Sequence, residues 1–334
     1  MPELVRPDVT LNYQLVGPPL EDGQTPVVLI HGLGANLAFW YLGAVRHLGR
    51  EMPMLLPDLR GHGGSSTPET GYGLEALARD VLALMDETGL SRVHLVGHSH
   101  GARVALVVAM MAPDRVASLT VADTQVGTLQ PPMRLCDWAH WPVWRKQLEE
   151  QGVETFPPDD AEIDFRLLSD LGALGQAALA TGGVSARVEG RAAGRPRKRA
   201  GINLRSRQMG ARGAEKWRGL LERTSARQEM DDEAPLAPEK LAALEMPLLL
   251  VYGAQSHCLP TSEALMELVP GARRIVVPGA GHFFPIVKPR LFALALRAFI
   301  AGVDRPGAAA ERRTRARTHQ RPILRAALRR RRSQ

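Results

Sequence analysis

The sequence predicts an α/β fold: a mostly parallel, doubly wound sheet with a helical cap insertion. Three observations predict it. Short apolar runs alternate with helical patterns along most of the 334 residues, a rhythm that puts crossover helices on both faces of parallel strands. A glycine-flanked serine stands where one of these runs passes into a helix. The rhythm then breaks for more than a hundred residues between Asp123 and Met246 before it resumes, which marks an insertion.

Taken in chain order, Val9–Val16 mixes polar and apolar residues and reads as an antiparallel edge strand. Val27–Ile30, Met54–Leu56, Val93–Val96, Leu119–Ala122, Leu248–Tyr252 and Ile275–Val277 are apolar runs bounded by turn residues, the pattern of buried strands. Leu74–Thr88, Ala102–Met111, Ser262–Val269 and Pro289–Ala301 carry helical periodicity. The core is therefore expected over 1–126 and 244–303, the cap over 127–243, and an Arg-rich disordered tail over 304–334. The cap opens on Pro-rich turns, carries Trp138, Trp141 and Trp144, and continues into Gly- and Arg-rich sequence around 182–213. Tryptophans at spacing three either line a pocket for a bulky apolar substrate or form the cap's own small core. Pro142 is expected to interrupt any single helix through them.

Composition excludes several classes. With 45% hydrophobic and 23% charged residues the chain is too apolar for disorder. Two cysteines, Cys136 and Cys258, cannot build a disulfide framework or a four-ligand zinc site, and they suit a reducing, cytoplasmic setting. The longest apolar stretch, Val104–Ala112, falls far short of the roughly 18 residues of a membrane span. The net charge of +7 is unevenly held: residues 304–334 carry a net +9, residues 187–227 a net +10, and the remainder is acidic at −12. Like-charge blocks are usually solvated segments, so neither a nucleic acid nor a membrane is expected as partner. The sequence does not give the oligomeric state.

The chemistry centres on Gly97-His98-Ser99-His100-Gly101, set after the strand Val93–Val96 and before a helix. A G-x-S-x-G elbow in this setting lifts a serine Oγ out of the sheet, and the sharp turn needs glycines that lack Cβ. Serine is a weak nucleophile until a base takes its proton. His282, in Gly279-Ala280-Gly281-His282, follows the last expected strand and is the candidate base. His98 is expected to pack beneath the elbow and His100 to lie near the pocket. Attack on a carbonyl builds an oxyanion that needs two N–H donors. The backbone of His100 supplies one, and Leu33, in His31-Gly32-Leu33-Gly34, is the choice for the other. No metal or nucleotide motif stands out, so a cofactor-independent reaction on a small-molecule ester is expected.

Together, HGLG at 31–34 with Trp40, PDLRGHGGSS at 57–66, GHSHG at 97–101 and GAGH at 279–282 resemble the α/β-hydrolase superfamily over residues 1–303. The resemblance implies the α/β-hydrolase fold and a scaffold shared by esterases, thioesterases, carbon–carbon hydrolases, dehalogenases and epoxide hydrolases. Dehalogenases and epoxide hydrolases of this superfamily place Asp where Ser99 stands and are disfavoured. In many relatives a G-x-x-D-x-x-x-P segment after the penultimate strand carries the triad acid. Here it reads Gly253-Ala254-Gln255-Ser256-His257-Cys258-Leu259-Pro260, with Ser256 in the acid's place. Asp123, at the end of the preceding strand, is the alternative acid site used in some members. Asp231, Asp232 or Glu233 at the cap's end, or a Ser–His dyad, remain as alternatives. YGAQSHCLP at 252–260 and SRQMGARGAEKW at 206–217 further resemble the serine-dependent macrolide esterases, which implies a macrocyclic lactone substrate. A carbon–carbon hydrolase would want Arg103 to hold a substrate carboxylate, and a non-catalytic binding protein is the alternative of another class.

Overall fold

The computed structural model describes residues 2–150, 152–163, 167, 171 and 219–305. Its centre is an eight-stranded sheet of β1 (Glu3–Val5), β2 (Thr10–Val16), β3 (Val27–Ile30), β4 (Met54–Pro57), β5 (Val93–His98), β6 (Val116–Ala122), β7 (Leu248–Gly253) and β8 (Arg273–Val277). The strand order is β1-β2-β4-β3-β5-β6-β7-β8. The first two strands join antiparallel and every later pairing is parallel. Val9–Val16 is thus antiparallel as expected but is not the edge, because three-residue β1 pairs outside it. A run as short as Glu3–Val5 carries no period that a sequence reading can detect.

The five inner strands β4, β3, β5, β6 and β7 are buried at every residue, the signature of a sheet covered on both faces. Side chains alternate faces along a strand. Accordingly Val28, Ile30, Leu95 and Leu250 join one core with helix Leu74–Glu87 (α3) and helix His100–Met111 (α4). Val27, Leu29, Val96 and Val251 join the other, against Phe39 and Trp40 of the short helix Ala38–Leu42 (α1), Val45 and Leu48 of helix Val45–Leu48 (α2), and Phe292 and Leu296 of the last described helix, Pro289–Asp304. α4 packs on β3, β5 and β6 and also against α3, and it is apolar on nearly all sides.

By the density of its internal contacts the chain divides into two compact units, Met1–Gln130 with Arg212–Gln334, and Pro131–Ala211. The sheet belongs to the first. So do residues 219–243, which the sequence reading placed in the cap: Leu236 and Leu241 enter the core with α4, and Leu220, Ala226 and Met230 pack on Tyr72. Glu229 Oε2 accepts the N–H groups of Tyr72 at 2.5 Å and Gly73 at 2.9 Å, capping α3 from a distant segment. In the second unit helix Trp141–Glu150 (α5) runs on through Pro142. Proline is tolerated there because the first turn needs no N–H, so Trp141 and Trp144 share a helix. Trp138, Trp141 and Trp144 pack ring against ring in that unit's own core with Leu135, Leu148 and Ile163. The Gly- and Arg-rich stretch 182–213 lies outside the described residues, as does the tail beyond Arg305. Among the described residues no helix is long and apolar enough to cross a membrane.

A buried ion pair ties the first loops to α3. Arg60 donates Nε to Asp80 Oδ2 at 2.6 Å and Nη2 to Asp80 Oδ1 at 2.7 Å, while Arg6 Nη1 reaches Oδ1 at 2.9 Å. Arg60 and Asp80 are almost fully buried. Removing one partner of such a pair leaves an uncompensated charge. Arg60→Met should therefore cost about 3 kcal/mol in urea unfolding. Arg60→Met with Asp80→Leu should recover much of that loss, since it buries neither charge.

Candidate active site

The turn between β5 and α4 carries Ser99 at φ 54° and ψ −125°. This is a conformation that costs a non-glycine residue energy and persists only where the surroundings enforce it. Both flanking glycines are required by close approach. A Cβ on Gly97 would lie 2.3 Å from the Gly101 carbonyl oxygen, and one on Gly101 2.3 Å from that of His31. Helix α4 consequently starts at His100, two residues earlier than its apolar pattern suggested, and points its first N–H groups at the serine's side of the turn.

His282 stands over this turn. Ser99 Oγ donates to its Nε2 at 3.0 Å, and its Nδ1–H donates to Asp123 Oδ1 at 2.9 Å. The tautomer follows because the carboxylate only accepts. Asp123 is fully buried at the end of β6, itself at φ 50°. Its Oδ2 accepts the Gly253 N–H at 2.7 Å, and its Oδ1 also accepts the Ser256 hydroxyl. Ser256 Oγ in turn accepts the Cys258 N–H at 3.1 Å, which aims its proton at the carboxylate. Burial pushes the Asp123 carboxyl up, but the hydrogen bond and charge of His282, with those of Ser256 and Gly253, outweigh it and hold the group below the usual carboxylate range.

Two of the three other acids open for His282 are engaged elsewhere, and the third, Asp231, acts by its charge on Arg103. Glu233 pairs with Arg103 at 2.8 Å, and Asp232 Oδ1 accepts the Ala234 N–H at 2.9 Å. Arg103, the residue considered for a substrate carboxylate, thus meets a carboxylate of its own chain and also donates to the Met230 carbonyl.

The loop His31–Gly34 is held against the elbow: a Cβ on Gly32 would come within 3.0 Å of Ser99 Cβ. Two histidines brace it, one of which the sequence reading missed. His31 donates Nδ1–H to the Gly32 carbonyl at 2.8 Å and accepts the Leu59 N–H on Nε2 at 3.1 Å. His62 donates to the Arg60 carbonyl at 2.9 Å and accepts the Gly34 N–H at 3.1 Å. Among the described residues, neither Leu33 N–H nor His100 N–H meets an acceptor, so both donors are available to an oxyanion. His98 lies beneath the elbow, stacked on Phe39, and donates Nε2–H to the His282 carbonyl at 2.9 Å. The His100 side chain is buried, and among the described residues its Nε2 meets no hydrogen-bond partner. Trp138, Trp141 and Trp144 belong to the other compact unit. Among the described residues, Asp123, His282 and Cys258 form a group with metal-ligating atoms within 4.8 Å of one another.

This sheet topology and elbow agree with comparison to known proteins. Residues 25–289 match the family model described as alpha/beta hydrolase fold. The chain belongs to the alpha/beta hydrolase family. This alpha/beta hydrolase is 30% identical over 262 residues to the dihydrolipoyllysine-residue acetyltransferase component of the acetoin cleaving system of Pseudomonas putida, covering 78% of this chain and 59% of that one. It is 40% identical over 122 residues to a fluoroacetate dehalogenase of a Burkholderia species, covering 35% of this chain and 38% of that one. The aligned part is under two thirds of either relative's length. Among solved structures, the enol-lactonase of Burkholderia xenovorans shares the fold with a TM-score of 0.58 at 20% identity, covering 90% of this chain and all of that one.

The histidines around the site make stability depend on pH. Burial first, and the neighbouring His282 second, pull His98 and His257 each down to about 3. An unfolded histidine titrates near 6.5, so between that pH and about 3 the unfolded chain binds protons that the folded one refuses. Unfolding free energy should be level between about pH 7 and 8, before burial of the Cys258 thiol, which pushes that group well above its ordinary value, begins to cost stability. It should fall below pH 6.5 by about 1.4 kcal/mol per pH unit for each of the two histidines, measured by urea unfolding at pH 7.5, 6 and 5. A flat profile would show that these rings accept protons in the folded state.

Proposed function

We propose that this alpha/beta hydrolase is a serine-dependent carboxylic ester hydrolase working through an acyl-enzyme, with Ser99 as nucleophile, His282 as base and Asp123 as the acid that orients it. The observation that carries the reading is the continuous relay from Ser99 Oγ through both nitrogens of His282 to a buried carboxylate, at 3.0 and 2.9 Å. Ser99 Oγ bonds to the ester carbonyl carbon while its proton passes to His282 Nε2. The resulting imidazolium is stabilised by Asp123. The carbonyl oxygen takes up the negative charge and accepts from Leu33 N–H and His100 N–H, each donor worth roughly 10²- to 10³-fold in rate. Collapse breaks the carbon–oxygen bond to the alcohol, which leaves with the Nε2 proton. Water then repeats the sequence on the acyl-serine and regenerates Ser99. No cofactor enters these steps.

For the substrate, the likeness of residues 252–260 and 206–217 to macrolide esterases supports a macrocyclic lactone, whose opening is the same ester chemistry. Trp138, Trp141 and Trp144 are proposed to select bulky substrates. Replacing any of them by Ala should then cost more turnover with a macrolide than with a short acetate ester. The free thiols of Cys136 and Cys258 fit a cytoplasmic enzyme.

Two experiments test the assignment. A fluorophosphonate probe should label the protein at Ser99, and Ser99→Ala should abolish labelling and lower kcat by roughly 10⁴- to 10⁶-fold; retained ester turnover in that variant would overturn the reading. Asp123→Asn keeps the shape but lets the amide favour the wrong imidazole tautomer, so kcat should fall about 10⁴-fold. Adding Ser256→Asp to Asp123→Asn should restore part of the loss, because residue 256 already bonds to the carboxylate position that His282 faces.

A further inference from the structure

We infer that Asp123, His282 and Cys258 form a binding site for a thiophilic divalent cation of the zinc and cadmium kind, and that occupation of this site switches the hydrolase off. The inference goes beyond the proposed ester hydrolysis and, in its inhibitory part, rests on that reading of the triad. Cys258 is a free, fully buried thiol whose Sγ lies 3.7 Å from His282 Nδ1. Asp123 Oδ1 lies 2.9 Å from the same nitrogen, and the three ligand atoms fall within 4.8 Å of one another. The imidazole Nδ1 therefore faces a carboxylate oxygen and a sulfur together. A tetrahedral zinc with bonds near 2.0 Å to N and O and near 2.3 Å to S sets its ligand atoms about 3.3 to 3.6 Å apart. The His–Asp edge at 2.9 Å and the His–Cys edge at 3.7 Å each come within about 0.5 Å of that set, and the Asp–Cys edge, at most 4.8 Å, closes as the cation draws its ligands in.

The charges close as well. The cation's two positive charges meet the Asp123 carboxylate and the Cys258 thiolate, so the occupied site buries no net charge. Binding releases one proton, from the thiol to solvent. The Nδ1 proton of His282 has to leave that nitrogen, and the ring stays neutral by carrying its proton on Nε2 instead. This transfer is what stops catalysis. With Nε2 protonated, His282 donates to Ser99 Oγ and has no lone pair left to take the serine proton, while Asp123 is bound to the cation. His257 Nε2, 3.3 Å from Cys258 Sγ, is the nearest further ligand atom, and the His282 side chain, 13% exposed, is the exposed edge of the cluster.

The test uses the full chain with the exposed thiol removed by Cys136→Ser and cadmium as the probe, because a cadmium–thiolate bond has its own ultraviolet absorption. Titration should produce that absorption with a limit of one cadmium per chain. Ester turnover should be lost in parallel and restored by EDTA. Adding Cys258→Ser should remove the absorption and weaken inhibition about 10- to 100-fold, each variant being compared with its own metal-free rate. Ser99→Ala in the Cys136→Ser chain should bind cadmium undiminished. No thiolate absorption in the Cys136→Ser chain, or equal inhibition with and without Cys258, would overturn the site. Absorption without loss of turnover would overturn the switch. A chain that binds cadmium but hydrolyses no ester in its metal-free form would leave the metal site standing and remove the ester-hydrolase reading.

Discussion

One buried negative charge organises this end of the molecule. Asp123 has no solvent exposure, and an ionised carboxylate in that setting costs several kcal/mol unless donors surround it. Three do, and each comes from a different stretch of chain. Gly253 N–H ends β7, the Ser256 hydroxyl comes from the loop that follows, and His282 Nδ1–H comes from the loop after β8. Satisfying the charge therefore ties together the ends of three strands. It also fixes the tautomer, because the Nδ1–H that His282 donates to Asp123 leaves Nε2 as the acceptor facing Ser99. Parallel pairing makes this possible: β6 lies between β5, which ends just before Ser99, and β7, with Ala122 level with Val251.

The rest of the site is held by side chains that bond to backbone across loops, where neither helix nor ladder can fix position. His31 and His62 each donate with one nitrogen and accept with the other, locking a neutral tautomer on either side of Leu33. Asp58 does the same for neighbouring loops, accepting from Leu37 N–H at 2.7 Å, Gly64 N–H at 2.8 Å and Asn12 Nδ2 at 2.6 Å. Gly63, at φ 51°, leaves the space that the Asp58 carboxylate fills. An oxyanion hole is effective when its dipoles are in place before charge develops. These bonds fix the loop that carries Leu33 N–H, one of the two donors proposed for an oxyanion.

What could be read from sequence follows from range. The inner strands and four of the five described helices of ten or more residues were legible because apolar periodicity is local, Trp141–Glu150 being the exception, and the elbow because its glycines answer a local steric demand. Ile275–Val277, expected as a buried strand, lies in the edge strand β8, where only Val277 is buried. Strand β1 and the short helices at Ala38–Leu42 and Phe284–Val287 were not. They span too few residues to show a period and exist through packing. At the site, Ser99, His282 and Asp123 could be singled out by strand position, and the structure brings their side chains into one hydrogen-bonded line. The braces could not be singled out: Gly34 and His62 are 28 residues apart, and His98 meets the His282 carbonyl across 184 residues. Ser256 was legible only as a missing carboxylate. Its actual contact, a hydroxyl donated to Asp123 across 133 residues, has no local signature.

That contact explains how the acid can stand after β6 while the loop after β7 keeps its geometry. Ser256 Oγ and His282 Nδ1 both approach the same oxygen of Asp123, so carboxylate and hydroxyl stand side by side before one imidazole edge. What the imidazole requires is a charge at that point, and the strand that delivers it is secondary. Once β6 supplies the charge, residue 256 needs only a donor, and a hydroxyl suits the place better than a second carboxylate, which would repel the first. The loop after β7 is then released from carrying the acid. Its next residues, His257 and Cys258, turn inward against His282, with ring centres 5.5 Å apart for the two histidines and the sulfur 3.7 Å from Nδ1. Moving the acid by one strand is thus what leaves a soft ligand beside the nitrogen whose proton sets the direction of the relay.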